Sequence, residues 1–170
     1  MRLVRVCLSC LIAVVLNGCA GYHLGPVNGQ EAGARSIQVN PFANQTLQPR
    51  LTDALTLQVR KEIQRDGTYQ LATHGDADVI LTGVITRYQR FEVTLASSDI
   101  LTVKDYRLSL TVHLTARERA TGKVVLDQPV SGYTLIRVGS DLPSAERQAM
   151  PLLAQDLARN VTSLIAEGKW

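Results

Sequence analysis

The chain has 170 residues, 45% of them hydrophobic and 19% charged, with 18 Lys and Arg against 15 Asp and Glu. That length supports one domain with its own core. The formal net charge of +3 is too small for the basic footprint of a nucleic-acid binder.

The first residues read as a leader. Arg2 and Arg5 make a positive start, and residues 6–16 are apolar apart from Ser9. A bilayer span needs about 20 apolar residues, so this run is too short to cross and suits a signal segment. Leu16, Asn17, Gly18, Cys19 and Ala20 close it. An aliphatic residue three before a cysteine and a small residue just before it resemble the signal of bacterial lipoproteins. Asn17 departs from the small residue usual at its place. The resemblance implies removal of residues 1–18, then a diacylglyceryl thioether and an N-acyl group on Cys19. Several acyl chains, each methylene worth about 0.8 kcal/mol when buried, hold a protein where one chain would not. Ala20 rather than Asp after the cysteine implies the outer membrane, at its periplasmic face. The alternative is a buried N-terminal helix or strand. Gly21, Gly25, Pro26 and Gly29 follow too closely to favour it.

Removing 18 of 170 residues leaves 152, and losing Arg2 and Arg5 takes the net charge from +3 to +1. Cys7 and Cys10 leave with the leader, and acylation occupies Cys19. The mature chain then has no free thiol for a disulfide, a metal or a nucleophile.

Residues 19–35, rich in Gly and small side chains, read as an extended tether to a single domain over 36–170. Residues 36–40 (SIQVN) alternate and predict a short strand, and 41–46 a turn-rich connection. A helix follows, with Pro49 suited to its first position. Leu51, Leu55, Val59 and Ile63 recur every four residues along one face. That stripe either docks on the chain's own sheet, the favoured reading, or receives a partner. Gly67 suits the residue after the helix.

Residues 69–72 predict a strand and 73–76 a turn. The run 77–91 begins almost wholly apolar and turns amphipathic near Thr86, as an inner strand leaving the core does. Residues 106–118 alternate most cleanly, with Leu108, Leu110, Val112 and Leu114 on one side and Arg107, Ser109, Thr111 and His113 on the other. Residues 92–105 extend these two strands into a long hairpin with its tip at 96–99. After a turn at 120–123, residues 124–138 give another strand, bent near Pro129 and Gly132. A closing helix is expected over 144–167, apolar at Met150, Leu153, Leu157, Val161 and Leu164. Pro151 kinks it or resets its start, and Gly168 stops it. Two apolar helix faces and a mostly antiparallel or mixed sheet make a two-layer α+β domain.

Chemistry is sparse. His23, His74 and His113 have no second His or Cys at ligand spacing, so no metal site is expected. No nucleophile elbow or phosphate-binding loop is present. Ser97, Ser98 and Asp99 fit a hairpin tip better than a nucleophile. No catalytic residue is assigned, the chain is not expected to be an enzyme, and no cofactor is expected beyond the lipid on Cys19.

Several segments share a family look. Gly18-Cys19-Ala20-Gly21-Tyr22-His23-Leu24 opens the mature chain. Val39-Asn40-Pro41-Phe42-Ala43-Asn44-Gln45-Thr46 follows the first strand, and Pro49-Arg50-Leu51-Thr52-Asp53-Ala54-Leu55 opens the first helix. Asp66-Gly67-Thr68-Tyr69 and Ala77-Asp78-Val79-Ile80-Leu81-Thr82-Gly83 mark the next strands. In order and spacing this succession is similar to the LptE family of lipopolysaccharide-assembly lipoproteins. The resemblance implies two helices on a mostly antiparallel sheet, insertion into an LptD-like outer-membrane β-barrel as a plug and assembly aid, and lipopolysaccharide binding. It implies basic residues for the sugar phosphates. Arg87, Arg90, Lys104 and Arg107 gather around the expected hairpin and are the candidates, since arginine pairs with phosphate in a bidentate fashion. The other reading of these four is a solvated polar face. The competing function is a lipid-anchored carrier of phospholipid or another amphiphile, which needs an apolar cavity between sheet and helices.

Overall fold

The computed structural model describes residues 31–73, 75–93, 104–138 and 141–168. The leader, Cys19 and the hairpin tip expected at 96–99 lie outside them. In chain order the elements are β1 (Arg35–Val39), β2 (Ala43–Asn44), α1 (Leu51–Asp66), β3 (Tyr69–Leu71), β4 (Val79–Val93), β5 (Lys104–Glu118), β6 (Val124–Val138) and α2 (Leu142–Glu167).

One mixed sheet runs β3-β1-β4-β5-β6, and β2 continues the line of β1 along β4. β1 pairs in parallel with β3 and β4, while β4, β5 and β6 form an antiparallel meander. Both helices cover one face, so the fold is the two-layer α+β arrangement expected. The clean alternation of β5 places Leu108, Leu110, Val112, Leu114 and Ala116 under the helices, all fully buried. From the other layer come Leu55, Val59 and Ile63 of α1 and Leu153, Leu157 and Val161 of α2. The α1 stripe therefore docks on its own sheet.

Polar ties fix the short elements. The Phe42 N–H donates to Thr56 Oγ1 at 3.1 Å in the buried layer, and the Arg60 guanidinium donates to the Val39 carbonyl at 2.6 Å. The Asp78 carboxylate accepts from both the backbone N–H and the hydroxyl of Ser36, at 2.7 and 2.8 Å. These bonds hold its pKa below the ordinary value. Two glycines allow close approach. A Cβ on Gly83 would meet the Phe42 ring at 2.9 Å, and one on Gly132 would meet the Leu157 backbone nitrogen at 2.6 Å.

Some expectations are corrected. Pro49 is not the first helical residue. The Asn44 side chain bonds the Gln48 carbonyl and the Thr46 N–H, which organises the preceding loop, and the chain enters α1 through Arg50 in a left-handed conformation (φ 63°). Pro151 does not reset the start of α2. It lies inside a helix that begins at Leu142, with Pro143 in the first turn. Within the connection 41–46, Ala43 and Asn44 pair with Val84 and Ile85. β6 has the expected bounds, with Pro129 and Gly132 inside it.

Two register shifts decide which side chains face which way. In β4 the pairing with β5 slips at Thr86, between Ile85 and Arg87, and in β6 the pairing with β5 slips at Val125, between Val124 and Leu126. An extra residue in one strand turns everything beyond it to the opposite face.

Candidate functional site

The face of the sheet away from the helices is open. Across β4, β5 and β6 its residues stand in rows set by register. One row is Val84, His113 and Pro129; the next is Arg87, Thr111 and Ser131; then Gln89, Ser109 and Tyr133; then Phe91, Arg107 and Leu135; then Val93, Asp105 and Arg137. The rows nearer the β5–β6 turn are hydrophilic and bonded across strands. Thr111 and Ser131 share a hydroxyl hydrogen bond of 2.8 Å, and His113 Nε2 meets Asp127 Oδ1 at 2.7 Å. That bond, with a second from Thr115, keeps the Asp127 pKa low. Exposed pairs of this kind add little stability, but they make a hydrated surface.

Farther along, the face changes character. Phe91, Tyr133 and Leu135 are 48%, 57% and 60% exposed. The Arg107 guanidinium lies over the Tyr133 ring, 5.4 Å from its centre, while register sets Arg107 between Phe91 and Leu135. Among the described residues no carboxylate pairs with Arg107 or Arg87. The result is a cationic centre within an apolar surround, the chemistry that suits an anionic head joined to hydrocarbon.

The four basic candidates do not converge. Arg87 and Arg107 share the open face, two rows apart, about 13 Å along the strands. Arg90 stands on the helix side, bonded to Glu146 of α2 and set 5.9 Å from the centre of the Tyr106 ring. The slip before Arg87 is the reason: plain alternation from Ile85 would turn Arg87 inward and Arg90 outward. Lys104 begins β5 opposite Val138. Phe91, Tyr133 and Leu135 were not singled out in the sequence, because their company with Arg107 depends on both slips.

On the helix side, the starts of α1 and α2 leave a cleft of about 710 Å³ floored by Leu110. Among the described residues no helix is long and apolar enough to cross a membrane, and no group of three or more His, Cys, Asp or Glu is placed to hold a metal ion.

The family model for lipopolysaccharide assembly, LptE, matches residues 34–165. The chain belongs to the LptE family. That range takes in β1 to β6 and nearly all of α2, so the whole two-layer domain is the family unit. As an LptE-family chain, it is a lipopolysaccharide-assembly lipoprotein of the cell envelope. The family is one of non-enzymatic assembly proteins. Solved structures share the fold at low identity. A hypothetical protein from Chlamydia trachomatis superposes with a TM-score of 0.58 at 10% identity, covering 79% of this chain and 98% of its own. A protein from Xanthomonas campestris gives 0.56 at 12% identity, covering 85% and 91%. A minor lipoprotein from Acinetobacter baumannii gives 0.51 at 17% identity, covering 78% and 92%. No curated protein matches the chain in sequence.

Proposed function

We propose that this LptE-family chain is the lipid-anchored plug of an LptD-like outer-membrane β-barrel and that it helps the barrel assemble and deliver lipopolysaccharide to the outer leaflet. Acyl groups on Cys19 hold it at the periplasmic face of the outer membrane. The observation that carries the reading is the open sheet face. Its rows of Thr, Ser and His side chains suit the polar, water-filled interior of a large barrel. Its far end joins Arg107 to exposed Phe91, Tyr133 and Leu135. Lipopolysaccharide carries phosphates beside acyl chains, so it offers a partner to each part of that patch. Arg87 lies two rows off as a second phosphate contact. Arg90 contributes less, because Glu146 already takes its charge.

The test is recovery of the tagged, acylated protein from detergent-solubilised outer membranes, with mass spectrometry of what accompanies it. A large β-barrel in stoichiometric amount is expected. Recovery alone, or with phospholipid and no barrel, overturns the proposal. Arg107→Glu with Arg87→Glu is expected to lower co-recovered lipopolysaccharide about tenfold, the size of one charged hydrogen bond lost, while the barrel stays.

A further inference from the structure

We infer that the cleft between the starts of α1 and α2 binds one acyl chain of an amphiphile with an anionic head group. This site is on the opposite side of the sheet from the patch around Arg107, and it does not depend on the barrel reading.

The cleft exists because the two layers differ in length. β4, β5 and β6 have 15 residues each, roughly 50 Å of strand. α1 has 16 residues and α2 has 26, about 24 and 39 Å of helix. Both helices run back against β4 and β6, towards the end of the sheet where β1 and β3 lie. α1 starts only at the level of Leu110, while the first turns of α2 continue beyond it. The space left beside those turns is the cleft, and its volume of about 710 Å³ is in the range that holds small apolar ligands.

Its walls are hydrocarbon. Leu51, Ala54 and Leu55 of α1 face Met150, Leu153 and Ala154 of α2 across Leu110. Met is the side chain most able to reshape around a flexible chain. Pro143 and Pro151 also line it, and neither has an N–H to strand against an acyl group.

Its rim is cationic. Arg50 and Arg147 both line the cleft and are both exposed. Neither forms a salt bridge with a described residue; Arg147 donates to the Ser144 hydroxyl at 2.7 Å, and nearby Asp141 feels its charge. The one acidic lining residue, Glu146, has its charge taken by Arg90. Arg50 holds its left-handed backbone at the mouth, and α1 starts there with no side-chain cap, so its first N–H groups add to the positive field. A neutral hydrocarbon would satisfy the walls and leave the rim unused. An anionic head on an acyl chain meets both.

The probe is palmitic acid carrying a photoreactive diazirine in its chain, added to the full acylated protein in phosphatidylcholine vesicles. Adducts are mapped by peptide mass spectrometry. Labelling is expected at Leu51, Ala54 and Met150. The uncharged methyl ester of the probe is expected to label these positions about fivefold less, as is the probe itself on the Arg50→Ser, Arg147→Ser protein. Both of those side chains are exposed, so that variant keeps its fold. Ala54→Trp fills the cleft and is expected to abolish the adducts. Excess unlabelled palmitate and phosphatidylglycerol mixed into the vesicles then separate the two sources of such a chain. Suppression by phosphatidylglycerol makes the occupant a membrane phospholipid, and suppression by palmitate alone makes it a free fatty acid. Equal labelling by acid and ester, or adducts spread over exposed Leu57 and Leu152 and indifferent to the substitutions, overturns the inference.

Discussion

The two halves of the sheet contrast. Near the end where β1 and β3 lie, five strands sit under both helices. The pairing there is parallel and antiparallel together, and Ile37, Val39, Val79 and Leu81 are closed from water. Beyond Ile85 only β4, β5 and β6 continue, covered on one face by the first half of α2, with α1 reaching only as far as Leu110. The first half buries enough apolar surface from both layers to hold the fold together. The second half is held by its meander and by α2, and it keeps exposed both the Arg107 patch and the cleft. Stability and exposed chemistry therefore occupy different lengths of the same three strands.

The largest blow to that contrast strikes the covered half. Leu81→Ala empties a fully buried site under the helices and is expected to cost about 2–5 kcal/mol in urea unfolding. Gly132→Ala comes next, at about 1–3 kcal/mol, because the new methyl meets the α2 backbone at Leu157. Deleting Thr86 sharpens the comparison instead. It removes the bulge residue, so Ile85 and Arg87 become neighbours that still face Val112 and Thr111, Arg87 stays outward and Arg90 stays on Glu146. Hydrogen exchange beyond Ile85 is expected to slow as the ladder becomes regular, while β1 and β3 are unchanged.

Acid acts on the covered half through Asp78. Its folded pKa is depressed by the Ser36 N–H and hydroxyl, so its contribution is fully present above the unfolded carboxylate value of about 3.9. It is lost as pH falls through the lower folded value. Asp78→Asn is expected to flatten the acid limb of a stability–pH curve by lowering stability at neutral pH, with stability in strong acid nearly unchanged. The smallest effect belongs to Phe91→Ser, which is expected to stay within about 0.5 kcal/mol of the parent protein in the same urea series. If it instead unfolds the domain, the far half is carrying stability and the contrast fails.

The sequence alone made much of this molecule legible. The four-residue stripe of α1, the alternation of β5 and the punctuation at Gly67 and Gly168 are local signals, so element order and the two-layer class were readable. Arg107 was readable as an outward residue because it lies on β5, whose alternation does not break. Arg87 and Arg90 exchanged sides, and Tyr133 and Leu135 joined Arg107, because of slips that only the paired strand reveals. The choice between the two readings of Pro151, inside α2 or at its start, was equally out of reach. A helix packed along β6 keeps its course through a proline that would end an isolated one.

What the sequence determined, then, is which segments are strands or helices and which of their faces are apolar, since both follow from spacing within a few residues. The tertiary structure decided which basic residues share a face, where α1 begins relative to α2, and hence that a cleft with a cationic rim lies between them. Those outcomes depend on register and relative length between elements far apart in the chain, and no local pattern encodes either.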